Sequence, residues 1–193
     1  MRVLRAADYR RMPWKNGGGV TAEIAVFPEG AGLDDFVWRA SMAEVASDGP
    51  FSAFPGIDRT LTVLAGEGLR LAVGDADAVL LTPASEPFPF AADQPAHGAL
   101  AGGAVTDLNV MTRRGRAEHM VRRLHLAGET AFGTPGATTL VFVESGGLRV
   151  ADSTGDTVLG PRDCLWIEQG ATVLVTPRGT CAVLEAAIDR IAR

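Results

Sequence analysis

Short apolar segments, separated by glycine, proline and charged residues, run along the whole chain. Within many of them apolar and polar residues alternate, as they do in strands that bury one face. Helical periodicity is scarce, and only Leu184–Arg193 is expected to run from a strand into one helical turn. Many short strands with regular turn signals predict an all-β sandwich or barrel. The predicted strands are Thr21–Val26, Phe36–Val45, Arg59–Leu64, Leu69–Val73, Ala78–Leu81, Val105–Met111, Glu118–Leu126, Thr139–Glu144, Leu148–Val150, Thr157–Leu159, Cys164–Ile167, Thr172–Val175 and Cys181–Ala187.

Two stretches of the chain share one plan: a strand, a tight glycine turn and a second strand. They are Arg59–Leu71 and Thr139–Val150, and their glycines Gly66 and Gly146 lie 80 residues apart. This repeat predicts two related β units, residues 1–113 and residues 114–193. It resembles a duplicated cupin barrel, so the predicted fold is all-β, with two cupin-like barrels fused in one chain.

Composition and charge narrow the classes of function. The 193 residues carry a net charge of −5, with a pI near 5.2, which argues against nucleic acid or an anionic membrane as the main partner. The first residues lack the apolar core of a signal peptide, and no run approaches the roughly 20 apolar residues of a membrane span. Cys164 and Cys181 each lie in an apolar run and are expected to be buried free thiols. A cytoplasmic protein without a membrane or nucleic-acid partner is expected.

A glycine-rich segment, Pro-Trp-Lys-Asn-Gly-Gly-Gly-Val-Thr-Ala-Glu, occupies Pro13–Glu23. Three successive glycines are costly to order, which indicates a tight turn or a close approach to a ligand or to another backbone. Lys15 and Asn16 would then be presented at its edge; the alternative is an ordinary surface hairpin loop. A dinucleotide fingerprint is rejected, because Thr21–Phe27 predicts a strand where a helix is required, and because Met-Pro-Trp-Lys-Asn is not an apolar strand.

The sequence offers little for metal or nucleophilic chemistry. It contains three histidines and no His-x-His pair, and His119 and His125 would lie about 20 Å apart on one regular strand. No Gly-x-Ser-x-Gly nucleophile elbow is present. We therefore expect neither a metal ion nor another cofactor, and no catalytic residue is assigned.

Polar residues at period-two spacing inside apolar strands are the most suggestive chemistry. Arg39 shares a face with Ser41, and Asp107 shares a face with Asn109. These faces are either solvent-facing or the lining of a small barrel that holds one ligand. Arginine in such a lining would pair bidentately with a carboxylate. A loop with Ser52 and Phe54 leads into the strand that begins at Arg59.

Four blocks of the chain together resemble the HutD/Ves family: Pro13–Glu23, Trp38–Ser41, Gly49–Arg59 and Asp107–Arg114. The resemblance implies a bicupin without a catalytic metal, linked to bacterial histidine utilisation, where a ligand-sensing regulatory role has been proposed. It further implies a pocket in the first barrel for a small carboxylate such as formiminoglutamate or urocanate. The pocket residues that it implies are Lys15, Asn16, Arg39, Ser41, Ser52, Phe54, Arg59, Asp107 and Asn109.

Three classes of function remain open. The first is a non-enzymatic, small-molecule-binding protein that modulates histidine catabolism. The second is a metal-independent isomerase or lyase acting on a small organic acid, with Asp107 and Lys15 as acid and base. The third is an interaction module that controls a partner protein through its outer sheet. The sequence does not decide the oligomeric state, and pairing of edge strands in a homodimer is left open.

Overall fold

The computed structural model describes residues 1–14, 19–152 and 155–191 of the chain. These residues form strands and one 3-10 helix, Ala6–Asp8, so the all-β prediction is confirmed. No helix among them is long and apolar enough for a membrane span. The strands, in chain order, are β1 (Arg2–Leu4), β2 (Arg10–Pro13), β3 (Gly19–Phe27), β4 (Trp38–Val45), β5 (Gly49–Phe51), β6 (Ile57–Ala65), β7 (Leu69–Val73), β8 (Val79–Leu81), β9 (Phe88–Ala91), β10 (Ala96–Leu100), β11 (Val105–Arg113), β12 (Ala117–Leu126), β13 (Thr130–Phe132), β14 (Ala137–Asp152), β15 (Gly155–Leu159), β16 (Cys164–Ile167) and β17 (Val173–Arg190).

The chain divides into two compact units. The first unit comprises residues 10–118, and the second comprises residues 1–9 with residues 119–193. The predicted boundary between residues 113 and 114 lies just before the observed one, and residues 1–9 were expected in the other unit. They join the second unit because β1 pairs antiparallel with β16 and because Arg5 forms an ion pair with Asp163 at 2.8 Å.

Two antiparallel sheets build the first unit. One has six strands in the order β2-β3-β4-β11-β6-β9, and the other has four in the order β5-β10-β7-β8. Their facing side chains form an apolar core that includes Val45 and Leu61 from the larger sheet and Leu69 and Leu81 from the smaller. This core positions the inward side chains of β4, β6 and β11, from which the candidate site is built.

A seven-stranded sheet builds the second unit, in the order β1-β16-β14-β17-β12, with β13 on β17 and β15 on β14. Four of the predicted strands merge into the long strands β14 and β17, whose pairing shifts register on either side of Ser145. Strand β17 continues to Arg190, so the helical turn predicted at the end of the chain is wrong for the residues described. Cys164 and Cys181 are buried free thiols, as predicted.

The backbone geometry of the two glycine turns reproduces the internal repeat of the sequence. Gly66 and Gly146 both have positive φ, 101° and 75°. A Cβ atom at either position would lie 3.0 Å from a Cα atom at the start of the neighbouring strand segment, that of Val105 for Gly66 and that of Cys181 for Gly146. Only glycine fits such a conformation at such a close approach. The two turns therefore place the two halves of the repeat in residue-by-residue correspondence.

Strand pairing extends this correspondence. Leu61 lies opposite Asn109 in the first unit, and Val141 lies opposite Glu185 in the second. Leu61 and Val141 precede their glycines by the same number of residues, and Asn109 and Glu185 follow Val105 and Cys181 by the same number. Each inward position of β6 and β11 therefore has a defined counterpart on β14 and β17.

Candidate functional site

Five predicted site residues lie together on the inner face of the six-stranded sheet: Arg39 and Ser41 on β4, Arg59 on β6, and Asp107 and Asn109 on β11. They alternate with the residues of the opposite face, and each is no more than 7% exposed. They are therefore interior side chains, and the alternative of a solvent-facing strand is wrong for all five.

Strand register brings the two arginines to one level of the sheet. Arg39 lies opposite Met111, and Met111 lies opposite Arg59. One level further on, Ser41 lies opposite Asn109. Neighbouring strands are separated by about 4.8 Å, so the Cα atoms of the two arginines are roughly 10 Å apart. Both guanidinium groups consequently enter the same small interior.

Arg39 is paired with a carboxylate of the first unit. The Arg39 Nε donates to Glu23 Oε2 at 2.9 Å, and the Arg39 Nη1 donates to Ser41 Oγ at 3.1 Å. Glu23 lies on β3 opposite Ser41 and also accepts a hydrogen bond from Arg10 at 2.9 Å. Glu23 was not among the predicted site residues. Its alternation with Ala22 and Ile24 was the available signal, but its contact with Arg39 depends on pairing between β3 and β4.

Arg59 has a different environment. Its Nε donates to Asn109 Oδ1 at 2.8 Å, and its guanidinium carbon lies 4.8 Å from the ring centre of Phe51 and 5.5 Å from that of Phe90. No carboxylate of the described residues forms an ion pair with it. Burial lowers the pKa of Arg59 to about 10, against the opposing effect of the nearby Asp107, and the charge of Arg39 adds to the lowering. Neither Phe51 nor Phe90 was among the predicted site residues.

Asp107 lies behind Arg59 in the same hydrogen-bonded chain. Asn109 Nδ2 donates to Asp107 Oδ1 at 2.6 Å. Within the ranges that the structure describes, Asp107 Oδ2 has no hydrogen-bond partner, and the residue exposes 0% of its surface. This burial raises the pKa of Asp107 to about 6, although Arg59 and the Asn109 hydrogen bond both act to lower it.

Of the remaining predicted residues, Ser52 and Phe54 do not join this network. Ser52 is exposed in the loop between β5 and β6, and Phe54 packs against an apolar cluster that includes Phe36 and Ile57. Lys15 and Asn16 lie outside the described residues, so their proposed position at the edge of the site stays a prediction.

The two sides of the glycine-rich segment are well defined. The Trp14 amide donates to the Gly19 carbonyl at 2.9 Å, and the Trp14 indole donates to Thr21 Oγ1 at 2.8 Å. A Cβ atom at Gly19 would lie 3.1 Å from the Trp14 ring, so glycine permits this close approach. Contrary to expectation, Arg10–Pro13 immediately before Trp14 is a strand, although one of mixed polarity. The strand that follows it confirms that this is not a dinucleotide-binding turn.

Two further arginines, both in the sequence blocks that resemble the HutD/Ves family, bind residues of nearby loops and strands instead of entering the interior. Arg113 donates to the carbonyl oxygens of Phe36 and Asp34 at 2.9 and 2.7 Å. Arg114 forms ion pairs with Asp58 and Asp93 at 2.8 and 2.7 Å. Part of the sequence resemblance therefore reflects the support of loops around the first unit.

The second unit lacks the polar network at the corresponding positions. The counterparts of Arg59, Asp107 and Asn109 are Thr139, Val183 and Glu185. The surrounding interior is largely apolar, with Val141, Leu148 and Leu165 fully buried, although Thr139 and Glu185 are themselves buried. Glu185 is buried and accepts a hydrogen bond from Arg122, a side chain that is 61% exposed.

Potential metal ligands are dispersed. Within the described ranges, no three side chains of His, Cys, Asp or Glu are arranged so that they could hold a metal ion. His119 and His125 both lie on β12, as the sequence predicted.

Comparison with known proteins identifies close relatives over most of the chain. The HutD family model matches residues 6–184. The chain is 38% identical over 169 residues to an uncharacterized 21.2 kDa protein in the hutC 3′ region of Pseudomonas putida, covering 87% of each. It is 41% identical over 149 residues to protein Ves of Citrobacter koseri, covering 75% of each.

Solved structures agree with this relationship. HutD from Pseudomonas fluorescens SBW25, determined in a formate condition, superposes with a TM-score of 0.80 at 33% identity and covers 99% of both chains. The oxalate decarboxylase of Lactobacillus farciminis superposes with a TM-score of 0.68 at 9% identity, over 98% of this chain and 86% of the other. At that identity the likeness shows the fold alone, and it confirms the predicted cupin-like architecture.

Proposed function

The chain belongs to the HutD family, and we propose that it is a binding protein for a small carboxylate that modulates histidine catabolism. The ligand would be held in the first unit, with its carboxylate at the Arg59 guanidinium. Asn109, Asp107, Arg39 and Ser41 would shape and charge the surrounding interior.

One observation carries this proposal: among the described residues, the hydrogen-bond and ring partners of the buried Arg59 cation are neutral, and the nearby carboxylate Asp107 is linked to it through Asn109. Removing a charge from water is costly unless a counter-charge and hydrogen bonds replace the water. Asn109 satisfies only the Nε–H, and the two phenylalanine rings offer a weaker attraction. A bound anion would supply a direct ion-pair partner, in addition to the more distant charge of Asp107.

Arg39 shows how the same interior satisfies an arginine when the chain provides the acid. Its ion pair with Glu23 buries both groups, with side-chain exposures of 6% and 12%. A ligand carboxylate at Arg59 would reproduce this arrangement from outside the chain. A planar carboxylate suits the two terminal nitrogens of a guanidinium, to which it can bind bidentately.

The link to histidine catabolism rests on the relatives. The Pseudomonas putida relative is named for its place beside hutC, and the resemblance of the sequence blocks implies the same pathway. Its intermediates include small acids that carry a carboxylate, such as urocanate and formiminoglutamate. Either would satisfy the chemical requirement set by Arg59.

The enzyme alternative receives less support from the same geometry. A general acid or base must lie within hydrogen-bond reach of the proton that it transfers. Asp107 exposes none of its surface and contacts Asn109 in place of a substrate. A turnover assay on metal-stripped protein tests this alternative. Conversion of a pathway acid by the wild type, lost in Asp107→Asn, would replace a binding role with a catalytic one.

A thermal-shift titration of chelator-treated protein tests the proposed function. The panel is histidine, urocanate, formiminoglutamate, formylglutamate and glutamate, with divalent metals as a separate arm. A ligand at 100 times its dissociation constant stabilises by about 2.7 kcal/mol. For a chain of this size the expected rise in melting temperature is roughly 5–10 °C.

Arginine variants locate the site. Arg59→Gln removes the charge but keeps hydrogen-bonding capacity, and it should abolish the shift given by the active acid. Arg149→Gln, at an exposed arginine of the second unit that pairs with Asp156, is the matched control and should keep the shift. An unchanged shift in Arg59→Gln would exclude Arg59 as the carboxylate site, and a shift with metal alone would contradict the proposal.

A further inference from the structure

We propose that a carboxylate binding at Arg59 brings a proton with it, and that Asp107 takes up this proton. The inference rests on the proposed function, because it assumes that an anion occupies the position beside Arg59. It adds that the site binds the anion and the proton as a linked pair.

The geometry provides a direct connection between the two groups. Asn109 accepts from Arg59 Nε at 2.8 Å through Oδ1 and donates to Asp107 Oδ1 at 2.6 Å through Nδ2. One amide therefore touches the cation with its oxygen and the carboxyl with its nitrogen. This fixes the orientation of the amide and links Asp107 to Arg59 through a single side chain.

Asp107 Oδ2 is the atom available for the proton. It has no hydrogen-bond partner among the described residues, and Asp107 is completely buried. Burying an ionised oxygen without a well-placed donor is costly, although a backbone hydrogen bond from Ala43 also acts to lower the pKa of this carboxyl group. A carboxyl group in this environment stays ionised only while a nearby positive charge compensates for its burial.

Few charges are available to provide that compensation. Among the described residues, the charged groups on the same face of neighbouring strands are Arg59 on β6, Arg39 on β4 and Glu23 on β3, and Glu23 is already paired with Arg39 and with Arg10. From the four-stranded sheet the inward side chains are apolar, among them Leu69 and Leu71. The ionised state of Asp107 therefore depends chiefly on Arg59.

An anion at Arg59 removes this support. Its negative charge offsets the guanidinium and lies close enough to repel a second carboxylate, and like charges that share a site raise the proton affinity of one of them. A proton from solvent then bonds to Asp107 Oδ2. The pKa of Asp107, already about 6 in the free protein, should rise on binding, so affinity should increase as the pH falls from above neutrality towards 6.

Formate is the probe for a direct test, because it presents a carboxylate and nothing else. In protein with ¹³C-labelled aspartate, the Asp107 carboxyl resonance reports its protonation, and the Arg59 Nε–H resonance reports occupancy. The titration midpoint of Asp107 should rise by at least about one pH unit when formate saturates Arg59. A midpoint that stays constant while Arg59 Nε–H responds would overturn the inference and leave the proposed function standing.

Calorimetry at about pH 7 in two buffers of different ionisation enthalpy counts the protons. Wild-type protein should take up between about 0.3 and 1 proton per formate bound, and Asp107→Asn should take up none. Uptake that persists in Asp107→Asn would assign the proton to another group and refute the inference. If formate perturbs neither Arg59 nor the heat of mixing, carboxylate binding at Arg59 fails, and the proton coupling fails with it.

Discussion

The two β units share a strand plan but fill their interiors differently. The first unit places Arg59, Asp107 and Asn109 at positions where the second has Thr139, Val183 and Glu185. Around Val183 the second unit is packed with fully buried aliphatic side chains. The first unit instead buries two arginines, Asp107 and Asn109 next to its apolar core.

The difference shows where buried polar groups replace stabilising aliphatic packing in the shared strand plan. Aliphatic packing stabilises a unit without any need for a partner, whereas buried charges require a costly set of compensating contacts. A fold can carry many functions, and the residues of one site decide which. We propose that in this chain the polar interior of the first unit is that site, and the described part of the second unit shows the same strand plan without the Arg59–Asn109–Asp107 network.

Introducing the first unit's carboxyl group into the second should have the largest effect. Val183→Asp places an acid at the counterpart of Asp107, where Thr139 and not an arginine occupies the position that corresponds to Arg59. We expect a loss of about 3–5 kcal/mol in the free energy of unfolding near neutral pH, as for an uncompensated buried charge. Urea denaturation measures it, with Val183→Thr as the nearly isosteric control, expected to cost about 1–3 kcal/mol. Equal losses in the two variants would contradict the contrast between the units.

Removing the Asp107 charge from the first unit should raise the free energy of unfolding relative to wild type, by an amount that depends on pH. The pKa of Asp107 is raised from 3.8 to about 6 in the folded protein, so its contribution to stability is fully present below pH 3.8 and is lost as the pH rises through about 6. A shift of this size corresponds to about 3 kcal/mol. The stability of Asp107→Asn relative to wild type should therefore rise by about that amount between pH 4 and pH 7.

Urea denaturation across this pH range provides the measurement for Asp107→Asn. The exposed carboxylate Asp156 of the second unit, replaced in Asp156→Asn, is the control. A difference between wild type and Asp107→Asn that stays constant with pH would show that Asp107 is not held in a desolvated environment.

The two turn glycines should respond alike, because they are the shared part of the two units. Gly66→Ala and Gly146→Ala each force a side chain into a positive φ and against a neighbouring strand, with an expected cost of about 2 kcal/mol or more. Gly56→Ala and Gly136→Ala provide controls in the two units, since both have positive φ with open space around the new methyl group. The controls should lose only about 1 kcal/mol. Thermal unfolding of the four variants provides the measurement. Clearly unequal losses for Gly66→Ala and Gly146→Ala would contradict the equivalence of the two turns.

The smallest expected effect is the difference in stability between alanine variants of two serines in the first unit. Ser41→Ala removes the hydroxyl that accepts a hydrogen bond from buried Arg39 and should cost about 1 kcal/mol. Ser52→Ala changes an exposed loop residue and should cost less than about 0.5 kcal/mol. Chemical denaturation of both variants checks this order, and equal losses would mean that Ser52 has an interior role.

Strands with a clear alternation could be predicted from the sequence. The bounds Leu69–Val73 and Cys164–Ile167 were predicted as observed. The short strands Gly49–Phe51, Phe88–Ala91 and Thr130–Phe132 were missed, because so few residues, with proline in the first two strands, carry no periodic signal. The long strands β14 and β17 were each predicted as two pieces, since glycine and proline near the turns interrupt a pattern that irregular pairing carries through.

The candidate site, like the fold, could be predicted only in part from the sequence. Arg39, Ser41, Asp107 and Asn109 could be found because polar residues at period two inside apolar strands are conspicuous. The ion pair between Arg39 and Glu23 depends on the pairing between β3 and β4, which one sequence does not display. The stacking of Phe51 and Phe90 on Arg59 likewise joins distant segments, because β5 and β9 belong to different sheets.

The first unit is one continuous stretch of chain, whereas the second closes only when residues 1–9 meet residues 119–193. During synthesis on the ribosome, the strand Arg2–Leu4 emerges early but must wait for its partner Cys164–Ile167 until the chain is nearly finished. Pairings so distant in sequence form slowly. A circularly permuted chain that starts at residue 119 and joins residue 193 to residue 1 would place each unit on one uninterrupted stretch. In such a chain the unit without the polar site would be made, and could fold, first.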